Sequence, residues 1–264
     1  MRRRSSSDFP RMAEALERLK LTVAYDGRPF AGWQSQAGGN GVQDHIEAAF
    51  AAVGKLSLRI HGSGRTDSGV HALGQVAHVD VPRGRYPAAT WLAALNANLP
   101  HEIRVIRACR VRGGHDEFHA RFAAKGKRYL YRCWNATYMH PLEIGRAWHV
   151  PRKLNFAHLR EAAALMIGRH DFRRLSVNRR GQDANTVRTI HRITIAVRGP
   201  LITFAFEGDG FLYKMVRVLT GTLIRVAEGR EPVSYITDLL SPKVPARTHF
   251  TAPAEGLYLA KVFY

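Results

Sequence analysis

Apolar residues recur along this 264-residue chain at two spacings. Alternation at every second position predicts strands with one buried face, and a spacing of three and four predicts amphipathic helices. The turn pair Asp26-Gly27 and single glycines such as Gly54 mark where elements end. The pattern predicts strands over residues 21–25, 56–61, 75–81, 103–111, 127–134, 193–197, 201–206 and 256–263, and helices over residues 42–53, 90–99, 156–167, 211–227 and 233–240.

Strands and helices mix in both halves of the chain. This mixture favours an α+β (mixed α/β) fold with two sheets and helices on one face of each. Gly113-Gly114 interrupts the pattern, so we predict a domain boundary there. The predicted units are a flexible basic tail over residues 1–19, an N-terminal domain over 20–113 and a C-terminal domain over 114–264.

The chain is strongly basic. It carries 40 Lys and Arg residues, 32 of them Arg, against 21 Asp and Glu, which gives a net charge of +19. Such an excess predicts a polyanionic partner, most often a nucleic acid, although a generally Arg-rich composition would give the same total. The basic residues are spread along the chain rather than set opposite an apolar helical face, which argues against binding to a membrane surface.

Composition and missing motifs exclude several classes of protein. An apolar content of 45% is too high for a disordered chain, and the apolar runs are too short for a transmembrane span. Two cysteines, Cys109 and Cys133, cannot form a disulfide framework, so we predict a reducing compartment. The basic segment 1–7 is not followed by an apolar core, so we predict no secretion signal. We find no P-loop, dinucleotide fingerprint or zinc spacing, and we predict neither a cofactor nor a metal.

The most distinctive local sequence is Gly64-Arg65-Thr66-Asp67-Ser68-Gly69-Val70-His71-Ala72, which lies between two predicted strands. Glycines on both sides let the backbone approach a ligand closely. Asp67 is a candidate catalytic carboxylate, because functional residues concentrate on such loops. Turns also favour Asp for a local reason, since its side chain bonds to its own backbone. The residues alone leave both interpretations open.

This segment resembles the active-site motif of TruA-type tRNA pseudouridine synthases. Further blocks that are similar to that family follow in the same order, from about Lys20 to Val262. They are Tyr25-Asp26-Gly27, Gly32-Trp33-Gln34, Asn96-Ala97-Asn98-Leu99-Pro100, Phe118-His119-Ala120-Arg121-Phe122, Lys127-Arg128-Tyr129, Met215-Val216-Arg217 and Ala252-Pro253-Ala254-Glu255-Gly256-Leu257-Tyr258-Leu259. The tail before residue 20 and the basic stretch 173–186 do not align with the family.

The resemblance implies a fold and an activity. The fold has two similar domains whose mainly antiparallel sheets join across a central basic cleft, with helices packed on the outer face. The activity is the isomerisation of uridine to pseudouridine in the anticodon arm of tRNA, at tRNA positions 38–40, without a cofactor or metal. The resemblance also implies a cytoplasmic homodimer that tRNA bridges.

The resemblance assigns roles to individual residues as well. Asp67 is the nucleophile, and Arg217 is its ionic partner. Tyr129 stacks on the target base and later moves a proton, Leu257 forms an apolar wall, and Arg65 clamps a phosphate or holds the flipped nucleotide. The residues alone favour plainer roles. Arg217 lies opposite the core stripe of its helical wheel, as a solvated side chain would, and Tyr129 shares a strand face with other packed residues.

A basic loop is predicted over residues 169–192, with seven Arg and two Asp. Arg173, Arg174, Arg179 and Arg180 are its candidates for binding an RNA backbone, and a solvated loop is the alternative. Two other functions stay open at this point. One is a non-catalytic RNA-binding or chaperone protein of the same fold, and the other is a pseudouridine synthase with a different RNA target.

Overall fold

A computed structural model of the chain describes residues 15–111, 118–177, 185–244 and 250–264. Within these ranges the chain contains both strands and helices, as an α+β fold requires. The strands are β1 (Leu16–Tyr25), β2 (His61–Gly62), β3 (His71–Pro82), β4 (Ile103–Arg110), β5 (Gly126–Trp134), β6 (Trp148–His149), β7 (Gly168–Asp171), β8 (Val187–Arg198), β9 (Leu201–Gly208) and β10 (Leu257–Phe263). The α-helices are α1 (Val42–Gly54), α2 (Ala88–Asn98), α3 (Phe156–Leu165), α4 (Met215–Ala227) and α5 (Tyr235–Leu240).

The strands of the described ranges form one continuous sheet in the order β4-β1-β3-β10-β5-β9-β8-β7. Strands β4, β1 and β3 pair antiparallel and form an N-terminal half. Strands β10, β5, β9, β8 and β7 also pair antiparallel and form a C-terminal half. The halves join where β10 runs parallel to β3, with Tyr258 opposite His71 and Leu259 opposite Ala72. This sheet confirms the predicted α+β class. The predicted domain boundary at Gly113-Gly114 lies outside the described residues.

Strand β1 is longer than predicted. Residues 16–19, which we assigned to the tail, pair antiparallel with β3, so the tail boundary at residue 19 is wrong. The Arg18 guanidinium donates to both carboxylate oxygens of Asp80 at 2.7 Å and to the Phe118 carbonyl oxygen at 2.6 Å. Polar contacts therefore stabilise this end of β1. The hydrophobic pattern does not register such contacts, so it did not predict residues 16–19 as part of the strand.

Two other predictions fail for local reasons. Residues 56–60 are not a strand, because the Ile60 amide donates to the Glu47 carboxylate of α1 at 3.0 Å instead of to a strand. The predicted basic loop over 169–192 is wrong at both ends, where β7 and β8 pair antiparallel. Strand β7 lies at the edge of the sheet, where charged side chains are commonly tolerated.

Strand β5 carries its buried residues on one face, as the alternation predicts. Tyr129, Tyr131 and Cys133 are buried, and their register partners on β9 include Phe206 and Phe204. Cross-strand partners share a face of the sheet, so these rings belong to one apolar layer. Helix α4 contacts β5, and Tyr129 lines the same cleft as Met215 and Val216 at the start of that helix.

Candidate active site

Asp67 lies on the loop between β2 and β3. The segment that follows β1 holds this loop through hydrogen bonds. The Trp33 amide donates to the Thr66 carbonyl oxygen at 3.1 Å. The hydroxyls of Tyr25 and Thr66 share a hydrogen bond of 2.8 Å, and the Ser68 hydroxyl donates to the Phe30 carbonyl oxygen at 3.1 Å. The loop is thus fixed on both sides of Asp67.

Gly32 makes this support possible. Its φ of +101° lies in the region that favours glycine, and a Cβ at this position would lie 2.5 Å from the Thr66 carbonyl oxygen. The two backbones approach too closely for any side chain. The sequence signal for this contact is the Gly32-Trp33-Gln34 block, whose structural role the hydrophobic pattern does not reveal.

Arg217 projects from the first turn of α4 towards the Asp67 loop. Its Nη1 lies 3.3 Å from the Asp67 Oδ2, and its Nε donates to the Ala252 carbonyl oxygen at 2.7 Å. The two side chains are 13% and 22% exposed, which is low for charged groups. A carboxylate that is largely removed from water stays ionised when a cation lies beside it. The pair therefore places a carboxylate beside a guanidinium in a partly dry site.

The surroundings of α4 explain why Arg217 is not solvated. Almost every other residue of the helix is buried, so the helix is enclosed on more than its apolar stripe. Gly221 lets the segment at Phe250 approach, since a Cβ there would lie 2.5 Å from the Phe250 ring. This approach brings the Ala252 carbonyl oxygen to the Arg217 Nε. The helix begins at Met215 rather than at residue 211, after Lys214 in a left-handed conformation with φ of 56°.

Tyr129 lies beside this pair, and its side chain is 9% exposed overall. Its ring packs edge to face on Phe211, with ring centroids 5.2 Å apart. Burial and then the negative charge of Asp67 raise the pKa of the Tyr129 hydroxyl above its ordinary value. The hydroxyl is therefore protonated at neutral pH and available as a proton donor.

Lys127 is a site residue that sequence reasoning did not single out. It precedes Tyr129 by two positions on β5, so both side chains project from the same face. Its Nζ donates to the Ser63 carbonyl oxygen at 3.0 Å, at the start of the Asp67 loop. Burial and then the charge of Arg121 lower the pKa of Lys127 to about 8. The only sequence signal was its place in the block that ends at Tyr129.

His71 connects the two halves of the sheet four residues after Asp67. It is buried, and its Nδ1 accepts a hydrogen bond from the Gly27 amide at 3.1 Å. Its Nε2 lies 3.1 Å from the Gly145 carbonyl oxygen and 3.2 Å from that of Glu255, both in the C-terminal half. Since both carbonyls are acceptors, the ring carries its proton on Nε2. Burial lowers the pKa of His71, which favours this neutral form.

A cleft of about 1620 Å³ collects these groups. Its described lining carries six Lys and Arg side chains and two Asp side chains. The predicted site residues among them are Arg65, Asp67, Tyr129, Arg217 and Leu257. Leu257 is buried at the start of β10, and the exposed Arg65 donates to the Gln34 side chain at 3.0 Å. The structure therefore brings together residues that are up to 192 positions apart.

The other predicted RNA-binding arginines are placed differently. Arg173 and Arg174 are not among the described residues that line the cleft. The Arg174 guanidinium donates to the carbonyl oxygens of Asp238, Ser241 and Pro242, at the end of α5. These bonds fix the Arg174 side chain against α5, and its contact with an RNA backbone stays a prediction. Arg179 and Arg180 lie outside the described residues.

A carboxylate paired with arginine beside a buried tyrosine, in a large basic cleft, is typical of an enzyme site for an anionic polymer. The sequence profile of the tRNA pseudouridine synthase family matches residues 21–123 and 162–264. These ranges cover most of the chain, which therefore belongs to that family. They also include Asp67, Arg217 and Leu257.

Individual relatives agree with this assignment. A protein named tRNA pseudouridine synthase A from Akkermansia muciniphila is 43% identical over 257 residues, covering 94% of this chain and 96% of that protein. The protein of the same name from Geobacillus kaustophilus is 40% identical over 253 residues, covering 94% and 95%. Among solved structures, a chain from a Cbf5-Nop10-Gar1 complex has a TM-score of 0.36 and 13% identity, covering 91% of this chain and 48% of its own length.

Proposed function

We propose that this protein isomerises uridine to pseudouridine in the anticodon stem-loop of tRNA, with the Asp67 carboxylate as nucleophile. Membership of the tRNA pseudouridine synthase family supports the reaction and the substrate. The observation that carries the assignment of residues is the 3.3 Å contact between Asp67 and Arg217 inside the basic cleft. It places a carboxylate with a cationic partner where a flipped nucleotide would enter.

The reaction conserves the atoms of the nucleoside. The bond from N1 to C1′ breaks, a bond from C5 to C1′ forms, C5 loses a proton and N1 gains one. Asp67 acts either by adding to the base at C6 or by attacking or deprotonating the ribose, and both routes need the carboxylate in its charged form. Arg217 supplies a positive charge beside the carboxylate, and the protonated Tyr129 hydroxyl is available for the proton transfers.

Tyr129 and Leu257 are proposed to hold the target base. A base taken out of its stack needs a new aromatic or apolar contact to replace the lost stacking. Both side chains are buried in the cleft wall. Arg65, which is exposed at the mouth of the Asp67 loop, is proposed to contact a phosphate or to hold the flipped nucleotide in place.

Tyr129→Phe separates stacking from proton transfer, because it keeps the ring and removes the hydroxyl. We expect kcat to fall by about 100-fold, with the Kd for tRNA changed less than about twofold. Single-turnover conversion and filter binding measure the two quantities. Tyr86→Phe, outside the cleft, is the matched control. An unchanged kcat for Tyr129→Phe would leave the tyrosine as a stacking residue only.

The substrate is tested with transcripts of tRNA that keep a single uridine at position 38, 39 or 40. The purified protein should convert these uridines and leave uridines elsewhere in the tRNA unmodified. Pseudouridine mapping on total RNA from cells with and without the protein extends the test to other targets. Loss of pseudouridine from a different RNA, with the anticodon arm unaffected, would reassign the substrate.

A homodimer and a cytoplasmic location complete the proposal. The family resemblance supports both, since tRNA is bridged by two subunits in that family. Tyr138, Leu142 and Ile144 are exposed apolar side chains within one short segment, which is consistent with a contact surface between subunits. Light scattering on the purified protein tests the dimer, and a mass of 29.6 kDa would contradict it.

Fractionation of cells tests the proposed cytoplasmic location. No helix of the described chain is long and apolar enough to span a bilayer.

A further inference from the structure

Phe122 is an apolar side chain that neither the core nor the proposed catalytic group uses. It is 78% exposed, one of the most exposed large apolar residues of the described chain. It lies on the wall of the same cleft as Asp67. A single exposed phenylalanine needs no explanation by itself, so its neighbours decide what it does.

The ring of Phe122 stacks on the imidazole of His119. The ring centroids are 4.2 Å apart, and the planes are 25° from parallel. The His119 Nδ1 accepts hydrogen bonds from the amides of Arg121 at 3.1 Å and Phe122 at 3.3 Å. The Ala123 amide donates to the His119 carbonyl oxygen at 2.9 Å. This turn fixes the backbone that carries Phe122, so the ring is presented in a defined place.

Two other imidazole rings pack against His119. Its ring contacts His78 with centroids 4.5 Å apart and His61 with centroids 6.0 Å apart. The three imidazoles stack or meet edge to face, and no group of three or more metal-binding side chains in the described ranges is placed to hold an ion. Burial and then the charge of His61 lower the pKa of His119. The result is a cluster of packed rings in which Phe122 stacks on His119 and is itself largely exposed.

Cationic side chains line the same cleft as this ring. Arg59, Arg65 and Arg121 are exposed and line the same cleft. Arg59 is partly engaged, with its Nη1 3.7 Å from a Glu47 carboxylate oxygen. An aromatic face among solvated guanidinium groups is the combination that binds single-stranded nucleic acid, because bases stack on the ring while phosphates meet the charges.

We propose that Phe122 is a stacking platform for an unpaired base of the RNA substrate, separate from the target uridine that Tyr129 holds. Arg121 and Arg59 contact the phosphates next to that base. This second subsite rests on the proposed function, because it takes the same RNA in the same cleft. Such a subsite favours the binding of an RNA loop over a continuous duplex, because a loop has a neighbouring unpaired base that can stack on the ring.

Four variants of the full-length protein test the platform by their Kd for an anticodon stem-loop RNA. Base stacking contributes about 1–3 kcal/mol per base, so Phe122→Ala should raise Kd by about 5- to 150-fold. Phe122→Leu should weaken binding to a similar extent, because it keeps apolar bulk and loses the aromatic face, whereas Phe122→Trp should retain affinity. Ile106→Ala, an exposed apolar residue outside the cleft lining, should bind as wild type.

Abasic RNA identifies the stacked base. A series of stem-loops, each lacking one unpaired base, should contain one member for which wild type and Phe122→Ala bind equally. The loss of affinity should appear in KM more than in kcat. It should leave the salt dependence of binding unchanged, because the ring neutralises no phosphate, whereas Arg121→Gln should make that dependence shallower.

Three results would overturn the platform. The first is an unchanged Kd for Phe122→Ala, and the second is a penalty that persists with every abasic RNA. The third is Phe122→Leu that binds as wild type, which would assign the residue to simple apolar packing. These failures differ from a failure of the proposed function, in which the wild-type protein would not convert the anticodon stem-loop at all.

Discussion

Asp67→Asn should abolish pseudouridine formation, with a fall in turnover of more than about 1000-fold. Asparagine keeps the size and shape of the side chain and removes its charge, and the amide is neither a nucleophile nor a base. The loop around it should be unchanged, because the Thr66 and Ser68 contacts do not involve the carboxylate. Affinity for tRNA should be retained or slightly increased, since the substitution removes a negative charge from a basic cleft.

The measurements are single-turnover conversion of a tRNA transcript and binding of the same transcript. Asp238→Asn, on helix α5 and outside the cleft lining, is the matched control for loss of one carboxylate. A non-catalytic RNA-binding protein would bind the transcript but would convert it neither as wild type nor as Asp67→Asn. Wild-type turnover in Asp67→Asn would instead exclude this carboxylate as the nucleophile.

Arg217→Ala should lower turnover by about 100-fold or more, because it removes the cation beside a carboxylate that is only 22% exposed. Arg217→Lys should fall between Ala and wild type. It keeps the charge, but one ammonium group does not reproduce the planar fork that bonds the Ala252 carbonyl oxygen and Asp67 together. Single-turnover rates at saturating tRNA measure both effects.

Chemical rescue distinguishes an electrostatic role from a purely structural one. Millimolar guanidinium ion should restore part of the turnover of Arg217→Ala, because the missing group leaves a space lined by the Ala252 carbonyl oxygen and Asp67. The same salt should not raise the turnover of Asp67→Asn. Arg217→Ala with unchanged turnover would contradict the pairing, and thermal unfolding of both variants shows whether α4 remains folded.

The sequence pattern predicts those parts of the fold where one face is buried. Helix α1 has the predicted start at Val42, and β5 has the predicted buried face of Tyr129, Tyr131 and Cys133. The pattern fails where polar groups satisfy the backbone or pair across strands. Arg18 and Asp80 hold the first part of β1, and Glu47 takes the amide that a strand over 56–60 would have used.

The candidate site was predictable only in part. The block motifs lead to Asp67, Tyr129 and Arg217, but periodicity alone favoured a solvated Arg217. A helical wheel detects one apolar stripe and cannot detect that α4 is also covered at Gly221 by the segment around Phe250. That tertiary contact is what turns an exposed arginine into a buried partner of the carboxylate.

Residues that act through backbone contacts were not predictable. Lys127 and His71 bond to carbonyl oxygens of segments distant in sequence, and no residue type at those positions signals this. Arg174 is the opposite case. Its charge suggested an RNA contact, whereas its guanidinium bonds carbonyl oxygens at the end of α5. The charge of an arginine does not indicate whether its partner is a ligand or the chain itself.

The parallel pairing of β3 with β10 joins the two halves of the sheet through only two residue pairs. Asp67 lies on the N-terminal side of this seam, and Arg217 and Tyr129 lie on the C-terminal side. The ion pair between Asp67 and Arg217 consequently joins the two halves of the sheet. A substitution where β3 pairs with β10 could therefore abolish activity without changing any of the reacting groups. Conversely, an RNA that bound both halves of the sheet at once would stabilise the pairing between them. Substrate binding and assembly of the reactive centre would then be a single event.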